Sequence, residues 1–144
     1  MISQIIDETK KMVVSVIQGT DDVISALRGA VKTQVTGTIK DAGSMAMSAM
    51  DAVQSVVTGA VEAAAETGTD VGKAALAVVE EAVAGASEAG VSTADATAAA
   101  VTGALDAAGK VGGEAAGLVK DALLGAASLP RDVVERVIHG SENA

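Results

Sequence analysis

A 22-residue repeat runs through this chain from Val14 to Leu123 without an insertion. The copies open VSVIQG (14–19), TGTIKD (36–41), TGAVEA (58–63), EEAVAG (80–85) and TGALDA (102–107), and they close at Val35, Val57, Val79, Val101 and Leu123. The fourth position of each copy is a branched apolar residue: Ile17, Ile39, Val61, Val83 and Leu105. Repeats of this length mean that one structural unit recurs and buries its apolar side against its neighbours. Twenty-two is twice eleven, and an 11-residue (hendecad) period means about 3.67 residues per turn, close to a relaxed α-helix.

Placed on such a helix, six columns of the repeat fall within about 35° of one line. Arg28 is the one charged residue in them, and Thr20 and Thr97 are the other polar ones. The opposite columns hold most of the charges, among them Lys40, Glu62, Glu66, Lys73, Glu81, Glu88 and Asp106. A sustained stripe of this kind specifies an amphipathic helix rather than a strand. The high alanine content agrees, since alanine is the best helix former. The expected fold class is all-α: long amphipathic helices with an 11/22-residue repeat, in hairpins or a bundle within a homo-oligomeric assembly. The chain divides into a lead-in helix (1–13), five amphipathic repeats (14–123) and a short C-terminal helix with its tail (124–144). In that last segment Pro130 suits a helix start and Gly140 a helix stop.

Gly68, Gly90 and Gly112 stand 22 apart, each followed two residues later by Asp70, Ser92 or Glu114. Glycine just past a helix and a capping side chain at the next start would break the helix at each point. The same glycines would equally let a neighbouring helix approach closely. An unbroken helix over the repeats would be roughly 165 Å long. The reading preferred from the sequence treats Gly68 as a packing glycine. It folds long helices into one or two antiparallel hairpins, with bends near Gly90 and Gly112-Gly113.

The chain lacks Phe, Trp, Tyr and Cys and carries a net charge of −9. Without cysteine there is neither a disulfide framework nor a thiolate zinc site. Without aromatics there is no stacking platform for nucleic-acid bases, and the acidic balance opposes a phosphate backbone. No nucleic-acid partner is expected. The longest uncharged runs, 52–61 and 96–105, are about half of the roughly 20 residues that a spanning helix needs. The start, MISQIIDETKKMVV, lacks the basic and then long apolar order of a secretory signal, so a cytoplasmic location is expected.

His139 is the one histidine, and no cysteine can join it as a ligand. Asp21-Asp22, Glu80-Glu81 and Glu62 with Glu66 could do acid–base work only in a cleft that separates their pKa values. They fall mostly on the charged columns and are expected to be solvated. Neither a phosphate loop nor an EF-hand spacing is present. The chain is therefore expected to be a non-enzyme, with no cofactor and no metal.

The pieces VVTGAVEAAAETGTDVGKAALAVV (56–79) and VTGALDAAGKVGGEAAGLVKDAL (101–123) resemble the Thr/Gly/Val/Ala 11-residue repeats of perilipins and synucleins. That resemblance implies helices lying on lipid droplets or vesicles. Here, however, the middle copies are acidic where those repeats hold lysines. Residues 41–109 carry Lys73 alone against ten acidic groups, whereas residues 1–40 carry five basic and four acidic groups.

Two functions remain in view. In the first, the face made by Ile17, Ile24, Val31, Val35, Ile39, Val53, Val57, Val61, Val79, Val83, Val101, Leu105, Val119 and Leu123 drives self-association into a bundle, tube or filament. In the second, the same face coats a lipid droplet, vesicle or polymer granule. A scaffold or stalk subunit of a larger complex is a weaker third. The frame puts Val79 on the apolar side and Ala77 on the outer side, so an aspartate is expected to be tolerated at position 77 and damaging at position 79.

Overall fold

A computed structural model describes residues 2–18, 20–42 and 48–143. Among them the chain is all-helical: α1 (Ile2–Gln18), α2 (Val23–Ala42), α3 (Ala49–Glu66), α4 (Val71–Glu88), α5 (Thr93–Val111), α6 (Ala115–Leu124) and α7 (Arg131–Asn143). The lead-in segment and the start of the first repeat thus form one helix, α1. No helix of the described residues is long and apolar enough to cross a membrane.

The bends expected near Gly90 and Gly112-Gly113 are present, but the helices between bends are short, because the chain also turns at Gly68 and ahead of α2 and α3. From α3 onward each 22-residue step is one short helix and one turn, with starts at Ala49, Val71, Thr93 and Ala115. Gly68 (φ +81°), Gly90 (φ +97°) and Gly112 (φ +82°) occupy the left-handed region that a side chain resists. At the end of α3 the Thr69 N–H donates to Ala64 O at 3.0 Å and the Gly68 N–H to Ala65 O at 3.2 Å. The end of α4 repeats this closure, from Val91 to Ala86 O and from Gly90 to Ser87 O. Both are Schellman closures, which satisfy carbonyls the helix leaves open. Each next helix is then capped: Asp70 Oδ1 accepts from the Lys73 N–H and Ser92 Oγ from the Asp95 N–H. Ser48 and Asp22 serve α3 and α2 in the same way. Gly68 is therefore a turn glycine, not a packing one. Gly140, expected to stop the last helix, lies inside α7.

The helices form two rows. α1, α3 and α5 lie side by side with α7 against α5, and α2, α4 and α6 form the second row beneath them. Within a row the helices run the same way. Gly59 meets Ile6 and Thr9 while Glu66 pairs with Lys10, so α1 and α3 are parallel. Gly103 meets Gln54 and Val57 while Lys110 pairs with Glu62, so α3 and α5 are parallel too. The short turns make the two rows antiparallel to each other.

Small side chains let these helices approach closely. A Cβ built at Gly59 would lie 2.6 Å from Ile6 O, and one at Gly103 would lie 2.6 Å from Gln54 O. No real Cβ fits there. Across the second contact the Thr58 hydroxyl donates to Gly103 O at 3.0 Å. The central helix α3 is consequently buried on several sides, from Ala52 and Val53 through Ser55–Val61 to Ala63 and Ala64. These contacts correct the outer face drawn from the repeat. Gly59, Gly103 and Ala77 fall in its charged columns, yet all three are buried. The frame treated the helix as having one buried side, whereas a helix inside a row has neighbours on two.

The two glycines of α5 separate packing from propensity. Gly103→Ala is expected to lower stability by about 1–3 kcal/mol, because overpacking against a backbone carbonyl outweighs the gain in helix propensity. Gly109, in the same helix, has open space around its Cα. Gly109→Ala is expected to raise stability by up to about 1 kcal/mol. Urea unfolding followed by circular dichroism reads both. Ala77→Asp and Val79→Asp are now both expected to cost more than about 3 kcal/mol, since each buries an unpaired charge.

Candidate interaction surface

The fourteen apolar face residues named from the sequence fall within the chain's own fold. Ile17, Val31, Val35, Val53, Val57, Val61, Val79, Val101, Val119 and Leu123 are buried in one continuous core. Ile39, Val83 and Leu105 pack against that core half-buried, and Ile24 is also half-buried. The repeat therefore brings these residues together within one copy. A surface for any partner has to come from what this packing leaves outside.

The charged side chains near that surface are largely occupied in joining helices. Lys10 Nζ lies 2.6 Å from Glu66 Oε1, joining α1 to α3. Arg28 reaches across from α2 to two carboxylates of α4, Glu80 at 2.8 Å and Glu81 at 3.4 Å. Lys32 pairs with Glu88 at 3.4 Å along the same two helices. Lys110 stands 3.9 Å from Glu62, between α5 and α3. The Glu62, Glu66, Glu80 and Glu81 carboxylates, expected to be freely solvated, are thus interhelical contacts. Side-by-side helices bring the columns that flank the apolar stripe against each other. The uneven charge of the sequence has a use here: bases of α1 and α2 meet acids of α3 and α4.

Glu80 is the most engaged of these groups. Partial burial pushes its carboxyl pKa up, but the Ser128 hydroxyl and the Arg28 guanidinium outweigh that and hold it below its usual 4.5. Arg28 is raised in turn, chiefly by its hydrogen bond to Glu80. Glu66 likewise raises Lys10. Ser128 lies beyond α6, so Glu80 ties α2, α4 and the α6–α7 connection together.

An open groove of about 450 Å³ runs between α1 and the end of α3, lined by Asp7, Lys10, Lys11, Val14, Ser15, Gln18 and Glu66. Its central charges are the Lys10–Glu66 pair already described. Among the described residues no three His, Cys, Asp or Glu side chains are grouped to hold a metal ion. His139 is exposed on α7.

Among the described residues the larger uncovered apolar side chains are Val16, Met50, Val111 and Leu118, scattered over α1, α3, α5 and α6. The contrast is α2, whose outer side presents Ser25, Gly29, Thr33, Gly37 and Lys40, all exposed. Neither Gly29 nor Gly37 has anything within 4 Å of a built Cβ. Repeat arithmetic had placed Ile24, Val31, Val35 and Ile39 of this helix on the candidate surface. The flat, small-residue side of α2 was missed, because glycine and threonine register weakly in a hydrophobic stripe. No protein-family model, curated protein or solved structure matches the chain.

The Glu80 cluster predicts a pH dependence. A carboxylate with a lowered folded pKa adds stability above its unfolded pKa and loses it as the pH falls through the folded value. Glu80→Gln is expected to cost about 0.5–1 kcal/mol at neutral pH, the size of a partly exposed pair. The gap to the unchanged protein closes in acid, below the usual carboxylate range. Urea midpoints across a pH series measure it.

Proposed function

We propose that this is a non-enzymatic structural protein whose folded helical stack is a building block for homo-oligomeric assembly. One observation carries the reading. Each row is made by one packing step used again, α1 to α3 to α5 and α2 to α4 to α6, and such a step leaves helices at the row ends that another copy can cover. Glu62, Glu66, Glu80 and Glu81, the acid pairs within the later repeats, each face a base of a neighbouring helix, which supports a structural role for them over a catalytic one.

The lipid-coating alternative uses the apolar face differently. Val35, Val57, Val79 and Val101 have no exposed surface, so the stack would have to open before that face met lipid. A peripheral coat of that kind gains its helicity, or rearranges it, on the lipid. The structural reading has the chain fully helical beforehand.

Sedimentation velocity over a wide concentration range, with no lipid present, tests the proposal. The expected result is a helical protein whose sedimentation coefficient rises with concentration. A well-folded species that stays monomeric throughout would overturn it. Flotation with a neutral-lipid emulsion then reports on the alternative: the protein is expected to stay in the dense fraction.

A further inference from the structure

We propose that α1 and α7 are caps that close the α1–α3–α5 row at both ends, so that copies of the chain do not join end to end along it. The inference rests on the packing step behind the self-association reading and restricts that reading. A head-to-tail contact along the row would build rings or open filaments, and the caps forbid it.

The step has an inserting side and a receiving side. Gly59 of α3 inserts against Ile6 O and Thr9 of α1, and Gly103 of α5 inserts against Gln54 O and Val57 of α3. Residues four and seven apart share a helix side, which adds Ala52 and Ala63 to Gly59, and Ala96 and Ala107 to Gly103. All six are buried. The inserting side therefore reads Ala, Gly, Ala in both helices. The receiving residues fix how α1 maps onto α3: Ile6 answers to Gln54 and Thr9 to Val57, each 48 residues apart. The same shift carries Ala52, Gly59 and Ala63 back to Gln4, Lys11 and Ser15, and all three are exposed. α1 can receive a helix but cannot insert into one. A lysine side chain stands where the step leaves no room even for a Cβ.

The other end is closed by cover. Among the described residues α7 touches α5 and α6 and no other helix, which puts it on the side of α5 away from α3. That is the receiving side of α5: Ala98, Val101 and Thr102 match Gln54, Val57 and Thr58 of α3, 44 residues earlier. Val101 is fully buried there. Thr58 reaches Gly103 O of the next helix, whereas Thr102 donates to Ala98 O of its own helix at 2.8 Å. α7 does not repeat the step. Its glycine, Gly140, has nothing within 4 Å of a built Cβ, and the helix is seated through Val133, Val134 and Ile138. Arg131, Asp132 and Arg136 are exposed on its other side. Repeat arrays end in units with a polar outer face of this kind, which keep them soluble.

Opening the two ends separately and together tests the caps. Gln4→Ala, Lys11→Gly and Ser15→Ala together give α1 the inserting side of α3. All three positions are exposed, and the two alanines offset the helix propensity lost at position 11. Ile138→Glu undocks α7 by placing a charge where the helix packs. Leu129→Glu, at the start of the same contact, takes its place if circular dichroism shows that I138E has lost the helical stack. In sedimentation velocity the α1 variant alone is expected to match the unsubstituted protein. Combined with I138E, it is expected to form chains of at least tenfold higher average mass than I138E alone. The same combination with Lys11→Ala is expected to form none, since a Cβ does not fit the contact. A combined variant no larger than I138E alone would overturn the caps. So would chains from the α1 variant alone, or chains that form equally well with K11A. The unsubstituted protein, run beside them, answers the self-association reading separately: if it is monomeric throughout, that reading falls, while chains from the combined variant alone still uphold the caps.

Discussion

Close contact between helix backbones is what the rest of this structure depends on. A chain without aromatic side chains cannot fill wide gaps between helices, because valine and alanine are too small to span them. The helices must come to the side chains. At Gly59 and Gly103 they do so to the limit, with the neighbouring carbonyl occupying the place where a Cβ would stand. Dispersion contacts fall off steeply with distance, so a small-residue core is cohesive only at this separation. The Thr58 hydroxyl on Gly103 O belongs to the same contact and fixes its register.

Electrostatics follows from that geometry. Parallel neighbours bring charged columns together along their whole length, and the chain fills them with opposite signs: Lys10 with Glu66, Arg28 with Glu80 and Glu81, Lys32 with Glu88. Each exposed pair adds little by itself. Their value lies in the wrong arrangements they disfavour, since α3 and α4 would repel if their acids faced one another. Bases from the first part of the sequence and acids from the middle are two halves of one set of contacts.

The helix class was legible in the sequence, and so were many of the apolar positions that the fold buries. Val35, Val57, Val79, Val101 and Leu123 close the repeats and are buried almost completely. The bends near Gly90 and Gly112-Gly113 were legible as well, but the turn at Gly68 before Asp70 was not, because periodicity alone could not choose between a turn and a packing glycine there. A unit of 22 residues keeps the same phase whether the helix continues or turns back, so an unbroken rod and a folded stack show the same stripe. Burial of the second and third sides was not legible. Ala77, Gly59 and Gly103 are polar-side positions on one isolated helix and interior positions in a row. That difference arises only when other helices arrive.

The central claim is that short helices turn back at each repeat and stack in two rows. Small-angle X-ray scattering at low concentration addresses it directly. A compact copy of this length has a radius of gyration of about 15 Å, and a dimer remains near roughly 20 Å. One continuous helix of roughly 165 Å would give about 48 Å. The stack predicts a value in the compact range with a bell-shaped Kratky profile. A rod-like profile with a radius well above that range would contradict it.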